Sequence, residues 1–350
     1  MAKEETRHQT LYRQYRPAKF DEVRGQDHVV KTLQAAIKNK KTAHAYLFSG
    51  GRGTGKTTVA RILAKELGVT DSDLYEIDAA SNRGIDDIRA LREGVHAAAF
   101  VSPYKFYIID EAHMLTKDAW NALLKTIEEP PAHVIFVLAT TERDKVPETI
   151  QSRCEVYTFK QPTREMLVEA VADVAKQEGF KLEKAAGELV ALLAEGSFRD
   201  ALSILQKILA VSKNKTVEME EVELVSGAPR GEYVRAILKA LSEKNAADAL
   251  AAIHKAVGEN FDMRILAKLL IHRLRVVLLM RFAPELAEVL SKELTEADLE
   301  LAKSISKNPG VTSETMRALL EGYSTMAYAA VPALPLELAI LDICGTTEGR

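Results

Sequence analysis

Cysteine is nearly absent from this 350-residue sequence: only Cys154 and Cys344 occur, far apart and without the close pairing that zinc or redox motifs need. Both are expected to be reduced thiols. Net charge is lacking too, since 47 Lys and Arg oppose 50 Asp and Glu for a formal charge of -3. No global field therefore draws in nucleic acid or an anionic membrane, and any DNA contact has to come from a local patch. No apolar run approaches the ~20 residues that span a bilayer; the most apolar, Val276–Met280, is bracketed by Arg275 and Arg281. The N-terminal MAKEETRHQ carries both signs of charge and no apolar core of a signal peptide. Internal repeats and low-complexity tracts are also missing. The expectation is a cytoplasmic chain with no membrane partner.

What is present is a globular composition, 47% hydrophobic and 28% charged, on a chain long enough for two or three domains. Up to about Phe159, β-rich runs at Tyr46–Phe48, Tyr75–Ile77, Phe106–Ile109 and Val134–Leu138 alternate with helical patterns. That alternation predicts a parallel sheet flanked by helices, a three-layer α/β domain. Beyond Phe159 the strand signals stop. Pro162 and Thr163 open a helix through about Gln177 that Gly179 closes, and a second helix runs Leu182–Leu193 to Gly196. Ser197 and Asp200 have capping-box spacing for a third, with Ala201, Leu205 and Ile208 on its apolar face. Gly227, Pro229 and Gly231 mark a linker. After it, Ile265, Leu269, Leu270, Leu274, Val277 and Leu278 form a broad apolar stripe suited to a helical bundle that also packs against neighbours. The boundaries expected are 1–160 for the α/β domain, 161–227 for a small three-helix lid domain, and 228–350 for an all-α domain.

The chemistry concentrates at Gly50-Gly51-Arg52-Gly53-Thr54-Gly55-Lys56-Thr57, followed by Thr58. This matches G-x-x-x-x-G-K-[ST], with a strand running in and an amphipathic helix running out through Val59, Ile62, Leu63 and Leu67. The glycines let backbone N–H groups converge on phosphate oxygens, and the helix N-terminus adds partial positive charge. Lys56 is expected on the β- and γ-phosphates of ATP and Thr57 on Mg²⁺. A second apolar strand delivers Asp110 and Glu111 to its C-terminal end, where open α/β sheets bind ligands. Alone, two acids after a strand more often begin a solvated loop; beside a P-loop, Asp110 suits orientation of Mg²⁺ through water and Glu111 suits polarising the attacking water. The string Asp110-Glu111-Ala112-His113 also spells the box of one helicase class, a weak match because His113 need only cap or pack.

At this point the chain resembles bacterial clamp-loader ATPases of the AAA+ class, the gamma/tau subunits of DNA polymerase III, and more distantly the small subunits of replication factor C. The resemblance rests on Tyr15-Arg16-Pro17 with Phe20, Val23, Gly25 and Gln26, on His44–Gly50, and on Asp78-Ala79-Ala80-Ser81. It continues through Asn121–Lys125 with Glu128-Glu129-Pro130-Pro131, Ala139-Thr140-Thr141, Ser152-Arg153-Cys154 and Gly196–Leu202. It implies that Thr141, or its neighbour Thr140, is the polar sensor of the γ-phosphate. Arg153 looks like an arginine finger acting in trans on an adjacent subunit's ATP. Arg199, in the first turn of a helix where a cation gains nothing from the dipole, looks like the lid residue that touches nucleotide. Tyr12, Tyr15, Arg16, Pro17, Val23 and Gln26 look like the stretch surrounding the adenine.

Arg83 and Arg89 match positions that contact DNA phosphates in the family, although Asp86 and Asp87 make the local charge mixed. The implied partners are other clamp-loader subunits in a hetero- or homo-oligomer, expected pentameric, with a sliding clamp and primed DNA; the 228–350 segment would be the oligomerising collar. One departure stands out: Gly68–Asp73 directly bridges the gap where the bacterial family usually carries a cysteine-rich zinc insertion, so no zinc is expected. The chain also ends at Arg350 without a tau-type tail, which leaves tethering to polymerase in doubt. Two other readings stay open: another AAA+ DNA remodeller, and a nucleotide-binding scaffold without turnover.

Overall fold

Five short runs rich in β-branched and aromatic residues form five parallel strands in the computed structural model of the protein, which describes residues 9–286 and 294–345. The readings of the charged N-terminus over 1–8 and of the last five residues fall outside the described residues. The chain forms two compact units: residues through Ala170 with Ala194–Ser203, and Val171–Leu193 with the residues from Ile204 onward.

In the first unit, α1 (Leu11–Gln14) and α2 (Asp27–Lys38) precede β1 (Ala45–Gly50) and α3 (Lys56–Glu66). Next come β2 (Leu74–Asp78), α4 (Ile85–Val95), β3 (Lys105–Asp110), α5 (Lys117–Glu128), β4 (Val134–Thr140), α6 (Glu148–Gln151) and β5 (Glu155–Phe159). The strand order is β2-β3-β4-β1-β5, all parallel. Because side chains alternate along a strand, Tyr46, Phe48, Phe106 and Ile108 pack on α2 and α3. Leu47, Ile109, Phe136 and Leu138 pack on α4 and α5 instead. Every residue of β4 is buried, as a central strand covered on both faces requires. The four strand runs read from the sequence are all present; the fifth, Glu155–Phe159, lies at the sheet edge and is half exposed, so it lacks their apolar signature.

Strand register sets the site. Ser49 is level with Thr140, and Ile109 with Leu138, so the P-loop after β1, the end of β4 and the acids after β3 emerge side by side on one edge of the sheet. At the other edge, the buried Asp73 accepts backbone N–H bonds from Phe100, Val101 and Ser102 at 2.7–3.0 Å. Burial alone would raise its carboxyl, but these donors outweigh it and hold the group far below the usual carboxylate range.

Helices α7 (Arg164–Gln177), α8 (Lys184–Leu193) and α9 (Phe198–Val211) follow. The three helices expected here are present, and Ser197 Oγ accepts the Asp200 N–H at 3.2 Å. The strand signal does not stop at Phe159, however. Within the second unit, β6 (Lys181–Leu182) pairs in parallel with β7 (Thr216–Val217), two-residue strands too short for any periodicity to reveal. The rest of that unit is helical: α10 (Met219–Ser226), α11 (Gly231–Ser242), α12 (Ala246–Gly258), α13 (Met263–Phe282), α14 (Glu296–Ser306), α15 (Ser313–Thr325) and α16 (Leu334–Gly345). Asn245, Asp262, Thr295 and Thr312 cap four of these helices with side-chain oxygens. Asp298, its side chain 3% exposed, pairs with Arg273 at 2.7 Å and Arg235 at 3.3 Å, tying α14 to α13 and α11. Among the described residues no helix is long and apolar enough to cross a membrane.

Candidate nucleotide site

The loop between β1 and α3 is shaped by glycines in backbone conformations that other residues rarely adopt. Gly50 has φ 151°, Gly53 70° and Gly55 102°. A Cβ on Gly50 would lie 2.5 Å from the carbonyl oxygen of Phe159 and 2.8 Å from its Cβ, so strand β5 leaves no room for one. Gly50→Ala is expected to cost about 1–3 kcal/mol, read as a lowered melting temperature and weakened nucleotide binding in a thermal-shift titration.

Lys56 is buried, and its ammonium donates to the carbonyls of Gly50 and Gly51 at 2.8 Å each. Burial is the main reason its pKa lies below the ordinary lysine value; Glu111 and Asp110 oppose that shift, and Arg199 adds to it. Thr57 donates its hydroxyl to Asp110 Oδ2 at 2.8 Å, bringing together the two residues assigned to the cation. Magnesium is bound through oxygen ligands, commonly one or two carboxylates completed by water and substrate phosphates. A threonine hydroxyl beside a carboxylate at a P-loop fits that chemistry. Thr58 follows in the first turn of α3, half-buried, and Arg52 stands exposed on the loop.

Glu111 adopts a left-handed backbone, φ 48°, which costs an L-residue about 1–2 kcal/mol and needs its surroundings to hold it. Its N–H donates to Asp110 Oδ1 at 3.0 Å, and its carbonyl accepts the Met114 N–H at 2.8 Å. The carboxylate accepts the Thr141 hydroxyl at 3.2 Å. Thr140, one residue earlier, is fully buried, and its hydroxyl oxygen accepts the Glu142 N–H at 3.0 Å. The two threonines thus differ in partner: Thr141 bonds to the Glu111 carboxylate and Thr140 to the Glu142 amide.

Around the loop lies a concentration of cations. Arg199 and Arg13 each stack on the Tyr12 ring at 5.8 Å. The half-buried Arg16 is held below the ordinary arginine value by burial first, then by Arg61, with Arg199 and Arg13 adding to the effect against Glu76. A polyphosphate would relieve this crowding of like charge. Tyr15 and Pro17 are half-buried beside Arg16, and Val23 packs against the core under α2. Gln26 is fully buried; its amide donates to the Lys160 carbonyl at 2.7 Å and, at 3.4 Å, to that of Thr54, and accepts from the Lys160 N–H at 3.1 Å. Its amide is therefore a brace between the P-loop and the end of β5.

Comparison with known proteins decides the family. Residues 25–80 and 68–163 match the family described as DNA polymerase III, delta subunit. Residues 167–214 match the DNA polymerase III clamp loader subunit, ATPase lid domain. DNA polymerase III subunit tau of Bacillus subtilis is 40% identical over 97% of this chain and 64% of its own length. The corresponding subunit of Escherichia coli is 34% identical over 95% of this chain and 55% of its own. The chain belongs to the DNA polymerase III gamma/tau clamp-loader family. It spans less than two thirds of the length of these curated relatives. Among solved structures, the Thermotoga maritima RuvB Holliday junction branch migration motor is similar with a TM-score of 0.52 and 26% identity, over 65% of this chain and 79% of that one.

In this chain three expected site residues stand apart from the cluster around the P-loop. Arg153 precedes β5, whose first residue, Glu155, is level with Tyr46, whereas Gly50 is level with Phe159. At ~3.3 Å per residue, Glu155 is about 13 Å from the level of Gly50 along the strand direction, and Arg153 lies in the turn before it. Its guanidinium is held by Glu128 at 2.6 Å and by the Thr149 carbonyl at 2.7 Å. Arg83 and Arg89 are exposed at the start of α4, Arg89 paired with Asp86 at 3.1 Å. Two groups in the cluster escaped the motif reading. Ser197 Oγ lies against Gly53, whose carbonyl accepts the Phe198 N–H, and His113, in the turn after Glu111, hydrogen-bonds Thr140 at the end of β4. The sequence marks Ser197 as a helix cap within the Gly196–Leu202 match and His113 as one letter of a box, neither as a site residue.

Proposed function

We propose that this chain is an ATP-hydrolysing clamp-loader subunit whose ATP binding and hydrolysis, at interfaces between subunits, drive the opening and loading of a ring clamp onto primed DNA. The observation that carries the reading is the junction of three strand ends, where Lys56, the Thr57–Asp110 pair and the Glu111–Thr141 pair share one edge. Backbone N–H groups of Gly51–Lys56 and the Lys56 ammonium bind the phosphates. Thr57 and Asp110 would hold Mg²⁺, which, when bound, neutralises charge on the β- and γ-phosphate oxygens. Glu111 orients and polarises the attacking water, and Thr141 fixes Glu111 and senses the γ-phosphate. The hydroxyl contact with Glu111 favours Thr141 over Thr140 for that role. Arg199 reads the nucleotide from the lid segment, and Tyr12, Tyr15, Arg16, Pro17 and Val23 border the base, with Gln26 bracing the loop.

Arg153 completes a neighbouring subunit's site, which makes an oligomer necessary; five subunits, with 228–350 as collar and 161–227 as lid, is the arrangement we favour. Arg83 and Arg89 would track DNA phosphates without reading sequence, so binding should weaken steeply with salt. A cytoplasmic location and the lack of zinc belong to the same reading. Burial pushes the Cys154 thiol up to about 12, unsuited to the thiolate that zinc needs.

The test is the steady-state ATPase rate with and without primed DNA and sliding clamp. Stimulation by both is expected, and a rate indifferent to both would overturn the reading. The likeness to a branch migration motor gives a second reading, a DNA remodeller, which strand separation or branch migration in the absence of any clamp would favour.

A further inference from the structure

We propose that His113 is a positioning residue for hydrolysis, completing a ring of two hydrogen bonds and one close carboxylate contact that engages the Thr140 hydroxyl and presents Thr141 to Glu111. The inference rests on the ATPase reading above and adds a residue to it.

His113 sits in the 3-10 turn Ala112–Met114 directly after Glu111. Its side chain is only 7% exposed, yet both ring nitrogens have polar partners. Nδ1 lies 3.0 Å from Thr140 Oγ1 and 3.6 Å from Glu111 Oε2. Nε2 lies 3.3 Å from Glu142 Oε1. A hydrogen bond from Lys145 is the first reason the Glu142 carboxyl lies below its ordinary value, and His113 contributes. An ionised carboxylate only accepts, so Nε2 carries the hydrogen that faces it. In the neutral ring Nδ1 is then an acceptor, and the hydroxyl of Thr140 donates to it. The Glu142 N–H in turn donates to Thr140 Oγ1 at 3.0 Å.

The ring runs by hydrogen bonds from the Glu142 amide to Thr140 and from Thr140 to His113, and returns from His113 to the Glu142 carboxylate by a close contact of 3.3 Å. It consumes the hydroxyl hydrogen of Thr140, a fully buried residue. The end of β4 is thereby fixed in rotation about its own axis, and the next residue emerges with its hydroxyl 3.2 Å from Glu111. The imidazole lies between the turn that holds Glu111 in its left-handed conformation and the strand that supplies the sensor. A residue kept for packing alone would not need two directed polar partners, because a buried polar group gains nothing over an apolar one of the same shape unless its bonds are made.

The experiment uses the full chain in its clamp-loading assembly with ATP, clamp and primed DNA, and compares kcat and KM. His113→Ala is expected to lower kcat by about 10- to 100-fold, the effect of displacing a catalytic group by about an ångström, with KM for ATP within about twofold of wild type. His113→Asn, whose amide oxygen can accept from Thr140 where Nδ1 did, should recover much of the loss. Thr140→Val breaks the ring from the other side, and the double variant should be no slower than either single one. This variant also serves if His113→Ala fails to fold. Wild-type kcat in both single variants sinks the proposal. So does a loss shared equally by kcat and nucleotide affinity that Asn does not rescue. If wild type hydrolyses no faster than Glu111→Gln, the ATPase reading fails and this inference falls with it; an active wild type beside an equally active His113→Ala removes the inference alone.

Discussion

Glu111→Gln should bind ATP as tightly as wild type and all but stop turning it over. The amide keeps the size of the side chain and can still accept the Thr141 hydroxyl that lies 3.2 Å from the carboxylate, so the turn and the P-loop have no reason to rearrange. What it loses is the negative charge proposed to polarise the attacking water. Removing a positioned general base costs about 10²- to 10⁴-fold in kcat, while Lys56, proposed for the phosphates, and Thr57 and Asp110, proposed for Mg²⁺, are untouched. The measurement is paired: nucleotide affinity by fluorescence with a labelled ATP analogue, and phosphate release under saturating ATP, DNA and clamp. Tight binding without release is the expected pattern. Near-zero release from both wild type and variant would instead favour a nucleotide-binding scaffold. A variant as fast as wild type would remove Glu111 from the hydrolytic role.

The phosphate loop was legible in the sequence because its physics is local. A helix N-terminus that wraps an anion needs consecutive residues, and left-handed turns at Gly53 and Gly55 leave glycines that can be read directly. The central strands were legible for a related reason: buried on both faces, they appear as unbroken apolar runs. Strand β5 pairs only with β1 and has a single buried position, Phe159, after exposed and half-buried ones, so it shows no unbroken apolar run. Contacts between distant residues carry no such mark. That Thr141 rather than Thr140 meets Glu111 depends on how β4 rotates as it ends, which two adjacent threonines cannot disclose. His113 meets Thr140 across 27 positions, and nothing within its own turn announces the partner. The Asp73 carboxylate finds its three backbone donors 27 to 29 residues away, on a segment with no motif at all. Family resemblance supplied roles for Arg153 and Arg199 that composition would have assigned to solvent.

Arg153→Ala should reduce hydrolysis in the assembly by about 10³-fold or more, the usual worth of an arginine finger, while leaving nucleotide binding by the same chain near normal. Geometry gives the reason for the split. Arg153 lies in the turn before β5, and the whole length of that strand, about 13 Å, separates it from the level of its own P-loop, a separation its Glu128-bound side chain does not bridge. Its side chain remains 38% exposed, and its pairing with Glu128 fixes its orientation without burying it, an arrangement suited to meeting an adjacent subunit. Exposed ion pairs of this kind are worth only about 0–1 kcal/mol, so losing the Glu128 contact cannot account for a thousandfold fall in rate. Mixing separates action in trans from a local effect. Lys56→Ala disables the phosphate site of its own chain but retains a finger; Arg153→Ala retains the phosphate site but offers its neighbour no finger. Assemblies containing both should recover part of the wild-type rate, because some interfaces then pair an intact P-loop with an intact Arg153. If Arg153→Ala hydrolyses at the wild-type rate, or if the mixture is as inactive as either variant alone, the site is not shared between subunits.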